Sequence, residues 1–336
     1  MLERATHTSK TDASVRTEGT ARDNGPETPL VCCIVVVTNE VHWLERCLES
    51  LLQTDYPRYM LIVVDNGSSD GSPEFVARRF PRAVLVRNRK NIGLTRAWNI
   101  GIQQALKLGG KYVAVLNPDI WFDPYWLRHL VDACERNGDI AIASPLQYNY
   151  EGTEIDEIFL PILTQAECDT HSVAKKNRVI EVTAVIGAAA LIRCDLFRAL
   201  GLFDNSYFVY GQETDLCRLA FLTGRKIAIV SGSKIAHWHT NRHEASMAKK
   251  VRHSRLKSRF IFTLKDPSRS ILSNCSDTLR LIRRELSASR NFRYKALMCF
   301  LCVHLLARFP WILFRQARDR GKVLRAGSNR KWISPW

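Results

Sequence analysis

With 336 residues, 46% hydrophobic and 24% charged, the chain has the composition of an ordinary globular protein, and its length fits one large domain plus an extension. The formal charge of +16 is unevenly spread: residues 240–336 hold 23 Lys and Arg against 5 Asp and Glu, while the first two thirds are close to neutral. A basic last third favours anionic partners, lipid headgroups or nucleic acid. Ten cysteines follow no regular framework, which argues against a disulfide scaffold and for a reduced, cytosolic compartment.

Residues 1–29 are polar, have no apolar run, and read as a disordered tail. Order is expected from Leu30. The β-branched run Val31–Val37 predicts a strand buried on both faces. Leu44, Cys47, Leu48, Leu51 and Leu52 follow at helical spacing, and Tyr56-Pro57 breaks the pattern. Strands are predicted at 60–64, 83–86, 111–116 and 140–143, and helices at 94–108 and 125–136. Residues 145–178 read as a loop-rich insertion. Residues 179–192 are strand-like, interrupted at Gly187–Ala190; 195–200 and 212–223 read as helices and 226–230 as a strand. Basic, mainly helical sequence follows His237-Trp238-His239. Alternating strands and helices predict an α/β fold with a mostly parallel sheet flanked by helices. In such sheets ligands bind beyond the carboxyl ends of the strands, where the polar clusters after Val37, Val64 and Leu116 all fall.

Four constellations carry chemistry. Asp65-Asn66-Gly67-Ser68-Ser69-Asp70-Gly71-Ser72 is a carboxylate at a strand end followed by a turn whose backbone N–H groups suit a nucleoside and phosphate; a tight Asx turn would use the same residues. Asn117-Pro118-Asp119 suits a divalent cation bridging a diphosphate, hard oxygen ligands selecting Mg²⁺ or Mn²⁺; an Asn-Pro turn with a solvated Asp is the alternative. Glu213 and Asp215 open a helix, where the dipole favours carboxylates. His237, His239 and His243 offer one metal or phosphate contact. The pair Cys299 and Cys302 lies in an apolar stretch and reads as packing rather than a zinc site.

Taken in order, these segments resemble glycosyltransferase family 2. The resemblance is carried by Val35-Val-Val-Thr-Asn39, Val63-Val-Asp-Asn-Gly-Ser-Ser-Asp-Gly-Ser72, Asn91-Ile-Gly93, Asn99-Ile-Gly101 and Leu116-Asn-Pro-Asp119. In the second half Gly201-Leu-Phe-Asp204, Phe208-Val-Tyr210 and Glu213-Thr-Asp-Leu-Cys217 extend it, so that it covers about residues 31–240. The pattern is most similar to rhamnosyltransferase-like members that build bacterial surface polysaccharides. The resemblance implies a GT-A fold and inverting transfer from a nucleoside-diphosphate sugar to a saccharide hydroxyl, with the acceptor linked to a polyprenyl diphosphate at the cytoplasmic membrane face. It implies donor contacts by Thr38, Asn39, Asp65, Asn91, Gly93, Asn117 and Asp119, and metal contacts by Asp119 and His237, with His239 as runner-up. It also implies a catalytic base at Glu213. The family's usual Glu-Asp pair is Gln212-Glu213 here, which leaves Glu213 and Asp215 both open as the base and a catalytically inactive scaffold as a competing reading.

The division expected is a tail at 1–29, the GT-A domain at 30–240 and a basic helical, membrane-associating region at 241–336. Ala296–Phe314 is apolar but interrupted by His304, Arg308 and Pro310, which suits a helix lying in the headgroup region; a helix packed on the domain and a true span are the alternatives. A nucleic-acid-associated protein is the other reading of the basic third, but no nucleic-acid motif is present and its aromatics cluster with aliphatics rather than alternating with Lys and Arg; no nucleic-acid partner is expected. A sugar nucleotidyltransferase would want a Gly-rich, basic loop after the first strand, and a dinucleotide dehydrogenase a G-x-G-x-x-G; Thr38-Asn39-Glu40-Val41 is neither.

Overall fold

The computed structural model describes residues 28–169, 173, 177–185, 187–238, 245–288 and 292–332. The expected tail (all but its last two residues), His239 and His243 lie outside the described residues. The first strand, β1 (Val31–Val37), is buried at every position, and its alternation divides the core. Cys32, Ile34 and Val36 face one layer, with Trp98 and Ile102 of helix α3 (Leu94–Lys107); Val31, Cys33, Val35 and Val37 face the other, with Leu44, Leu48 and Leu51 of α1 (Val41–Leu52) and Leu127 and Leu130 of α4 (Trp126–Arg136).

The remaining strands are β2 (Tyr59–Asp65), β3 (Val84–Arg87), β4 (Tyr112–Leu116), β5 (Ile120–Phe122), β6 (Ile140–Tyr148), β7 (Val179–Val182), β8 (Ala189–Arg193) and β9 (Lys226–His237). They form one sheet in the order β3-β2-β1-β4-β8-β6-β9-β5, with β7 also on β9. The half from β3 to β4 is parallel, as expected. Beyond β4 the sheet is mixed: β8 runs antiparallel to β4 and β6, β9 is parallel to β6, and β5 and β7 are antiparallel to β9.

Three elements escape the sequence patterns. Helix α2 (Ser72–Arg79) is short and mostly polar, β5 has three residues, and β9 continues seven residues beyond its expected end through a register shift near Gly232. The expected loop-rich insertion carries α5 (Leu160–Gln165), whose Leu163 is buried beside Phe159 and Val173. Helices α6 (Cys194–Leu200) and α7 (Gln212–Leu222) complete the α/β layer.

The basic third forms α8 (Ala245–Leu264), α9 (Ile271–Ala288) and α10 (Phe292–Ala326). These helices are docked on the α/β layer through a core of their own, where Leu256, Phe260, Ile261, Met298, Leu301, Leu305 and Ile312 gather with Tyr207. The opposite face of α10 is bare: Phe300 and Leu306 are 66% and 70% exposed, in line with exposed Val303, Trp311 and Phe314.

Candidate active site

The strand ends of β1 and β2 bring together the first group of expected donor contacts. Asn39 sits in the left-handed region (φ 58°). Its backbone N–H donates to Ser68 Oγ at 3.0 Å, and its Oδ1 accepts the Ser69 N–H at 2.7 Å. Asp70 accepts the Val41 N–H at 2.9 Å, so the turn after β2 caps the helix after β1. Asp65 reaches the expected place but is 1% exposed, and its Oδ1 holds the Ser68 N–H at 3.1 Å; its first role is to shape this turn.

The hub of these strand-end loops is Asn66, which sequence reasoning did not single out. Its amide, on a residue 2% exposed, donates to Asn91 Oδ1 (3.0 Å) and accepts from Asn88 Nδ2 (3.3 Å) and the Ile92 N–H (3.1 Å). Asn91 in turn accepts the Gly93 N–H at 2.9 Å. The two loops approach so closely that a Cβ on Gly67 (φ +80°) would lie 2.5 Å from the Lys90 backbone. Gly93, expected as a donor contact, is required by packing: at φ +92°, a Cβ there would lie 2.8 Å from the Phe208 carbonyl oxygen.

Beyond β4 lies a cleft of about 430 Å³, walled by Asn117, Asp119, His237, Glu213, Tyr210 and, from the insertion, Ile158, Pro161 and Ile162. The Asn117 N–H is tied to the Ala188 carbonyl (2.9 Å) and leaves its side chain on the cleft. Asp119 Oδ1 lies 3.2 Å from His237 Nε2, and both residues are buried. The other ring nitrogen, Nδ1, lies 3.1 Å from the Gln147 side-chain amide, which fixes the ring. The Trp238 N–H donates to the Asp119 carbonyl at 3.0 Å, which continues the β5–β9 pairing to the motif itself. This pairing is why residues more than a hundred positions apart meet. Glu40, also missed, lies close enough to Asp119 that burial and the Asp119 carboxylate push its own carboxyl up to about 8.

Among the described residues no group of three or more His, Cys, Asp or Glu side chains is gathered to hold a metal unaided. One carboxylate and one imidazole on a cleft do fit a hard divalent cation that completes its shell with substrate phosphates and water.

Glu213 and Asp215 leave the first turn of α7 to opposite fates. Glu213 faces the cleft, accepts the Gly187 N–H, and has its second oxygen, Oε2, buried without a hydrogen-bond partner among the described residues. Burial pushes this carboxyl up to about 7, against the pull of the Gly187 and Glu213 N–H groups and of Arg255. The value suits a group that takes a proton near neutrality.

Asp215, expected as the alternative base, does not reach the cleft. It is buried between Arg218 (2.6 Å) and Lys265 (2.6 Å), and Lys265 also grips Asp204 at 2.5 Å. Arg315 Nε reaches the same Asp204 oxygen at 3.1 Å, and Arg218 donates to the Phe262 carbonyl at 2.9 Å. Burial would raise the Asp204 carboxyl, but Lys265 and Arg315 hold it well below the usual range. The network bolts α7 to α8 and α10, so Asp215 serves architecture. Tyr150 packs edge to face with Trp43, Trp121 and Trp238, and Arg46 lies over Trp121 and Tyr150, a cluster that joins the segments following Glu40, Asp119 and His237.

Comparison with solved structures shows that this architecture is the GT-A fold. A mannosyltransferase from Pyrobaculum calidifontis, solved with GDP-Man and Mn²⁺, superposes with a TM-score of 0.56 at 17% identity, covering 90% of this chain and 88% of that one. GalNAc-T7, solved with UDP, GalNAc and Mn²⁺, gives 0.54 at 17% identity over 70% of this chain and 48% of that one.

The family model for glycosyl transferase family 2 matches residues 32–201, and the chain belongs to that family. An N-acetylglucosaminyl-diphospho-decaprenol L-rhamnosyltransferase of Mycobacterium tuberculosis is 30% identical over 200 residues, which is 52% of this chain and 64% of that relative. The match therefore spans less than two thirds of the relative's length. The galactofuranosyltransferase GlfT1 of Mycolicibacterium smegmatis is 25% identical over 205 residues, 59% of this chain and 67% of the relative.

Proposed function

We propose that this glycosyltransferase is an inverting enzyme that uses a divalent cation, Mg²⁺ or Mn²⁺, and moves a rhamnose-like or other hexose from a nucleoside diphosphate to a saccharide hydroxyl. The observation that carries this reading is the single cleft shared by Asp119, His237 and Glu213 beside the Asn66–Asn91 loop lock. Asp119 and His237 would hold the cation, which when bound neutralises phosphate charge. Glu213 accepts the proton of the acceptor hydroxyl through its unpartnered oxygen as that hydroxyl attacks the anomeric carbon. Attack from the face opposite the leaving diphosphate inverts the centre and needs no covalent intermediate. Thr38, Asn39, Asp65, Asn91 and Asn117 line or shape the donor side.

A lipid-linked acceptor in surface-polysaccharide or cell-wall glycan synthesis is favoured by the decaprenol-linked substrate in the name of the mycobacterial relative. The outer stripe of α10 supports seating on the anionic inner face of the cell membrane: Phe300, Val303, Leu306, Trp311 and Phe314 share one exposed face, with Arg320 and Arg325 exposed beyond it. The helix has the length and composition to cross a membrane, but its other face is packed on α8, which favours a helix lying in the headgroup region.

The test is release of nucleoside diphosphate by purified protein from UDP-, GDP- and dTDP-sugars with Mg²⁺ or Mn²⁺. Metal-dependent release from one donor, absent in Asp119→Ala, is expected; failure of every donor even to bind would overturn the reading.

A further inference from the structure

Among the described residues, one from the basic third reaches the cleft. Arg255, on α8, lines it together with Asp119, Glu213 and Tyr210. Its position is fixed by its neighbours: the next residue, Leu256, is buried, Ser258 Oγ donates to the Val209 carbonyl at 3.1 Å, and Lys265 anchors the end of the helix to Asp204 and Asp215. The side chain itself is exposed, lies 5.0 Å over the Tyr210 ring, and makes no ion pair with a described carboxylate. Tyr210 is held at φ 67°, a left-handed conformation that an aromatic residue adopts only when its surroundings impose it. That backbone turns the ring beneath the guanidinium and leads through Gly211 into the helix of Glu213.

A cleft whose carboxylates are Asp119 and Glu213 repels a diphosphate unless cations offset them. His237 is already engaged with Asp119 and Gln147. Arg255 is a permanent cation with a planar fork that matches phosphate oxygens.

Building on the proposed function, we infer that Arg255 is the diphosphate-binding residue of this site, so that the C-terminal helices complete the active site rather than only anchoring the protein. During transfer the bond from the anomeric carbon to the β-phosphate oxygen breaks and its electron pair stays on that oxygen. The acceptor oxygen bonds the carbon and its proton passes to Glu213. Arg255, protonated throughout, donates hydrogen bonds to the phosphate as its charge grows. Arg255 lies outside residues 32–201, the stretch the family model matches.

The experiment is calorimetric titration of the full chain with UDP, UMP, GDP, GMP, dTDP and dTMP in the presence of Mn²⁺. The wild type is expected to prefer a diphosphate over its monophosphate. Arg255→Ala should lose about ten- to hundredfold in diphosphate affinity, keep its monophosphate affinity, and unfold at the wild-type temperature. Arg255→Lys should fall between, and millimolar guanidinium should restore part of the donor turnover lost in Arg255→Ala. An unchanged diphosphate-to-monophosphate ratio in Arg255→Ala would overturn the inference while leaving the glycosyltransferase reading intact. A wild type that binds no nucleoside diphosphate would overturn both.

Discussion

Two buried regions of this protein handle charge in opposite ways. At the junction with the C-terminal helices, Asp204, Asp215, Arg218, Lys265 and Arg315 are interleaved so that each charge meets an opposite one within 3.1 Å. In the cleft, two residues away along α7, Glu213 is half-buried, and its buried Oε2 meets no hydrogen-bond partner among the described residues. Paired charges hold a structure together; an unpaired one costs stability and persists for another reason. Under the proposed function the junction serves architecture and the cleft chemistry, although both use carboxylates from the same helix.

The largest effect expected of breaking this contrast is on turnover. Glu213→Gln should lower donor-to-acceptor transfer about 10²- to 10⁴-fold and leave the fold intact. The sign for stability is opposite: the native state holds the Glu213 carboxyl up at about 7, above the ordinary 4.5, so folding loses stability as pH rises through that window. The neutral amide removes the penalty, and thermal denaturation at pH 8 should show Glu213→Gln melting above wild type. For the same reason the rate should fall as pH drops below about 7, with the base protonated; a rate profile flat from pH 5 to 8 would count against Glu213.

Asp119→Ala should cost at least about a hundredfold and abolish stimulation by added Mn²⁺, measured as nucleoside-diphosphate release. Asp215→Asn sharpens the other side of the comparison. It leaves Lys265 and Arg218 short of a buried partner and should cost about 3–5 kcal/mol in urea denaturation, with activity per folded molecule largely kept. The smallest effect is reserved for the outer stripe: Leu306→Glu combined with Phe314→Glu should reduce binding to anionic vesicles about tenfold or more while leaving the melting temperature and donor turnover near wild type.

Much of the molecule could be read from the sequence because its signals are local. The buried run of β1, the strand-end turn at Asp65–Ser72 and the Asn117-Pro-Asp119 motif each declare themselves within a few residues. Asp119, His237 and Glu213 meet in one cleft as the motif order implied. What could not be read depends on partners distant in the chain. Nothing near Asp215 announces Lys265, fifty residues on, so its acidic neighbour and its place in a first turn made it look equivalent to Glu213. Gly93 was expected as a donor contact; that the Phe208 carbonyl, over a hundred residues away, also requires a glycine there is announced by no local pattern. Asn66 was hidden by standing next to a more conspicuous aspartate. Glu40 was overlooked because its neighbour Asp119 comes from a different strand end. The mixed half of the sheet was not predicted either, since a reversed β8 leaves the hydrophobic pattern of a buried strand unchanged.

The central claim is that Glu213 does the chemistry and Asp215 holds the frame. Its most direct test is a side-by-side comparison of Glu213→Gln and Asp215→Asn, with donor turnover normalised to folded protein. The account predicts a stably folded, inactive Glu213→Gln and a destabilised Asp215→Asn that still turns over donor. An active Glu213→Gln beside a well-folded, inactive Asp215→Asn would contradict it.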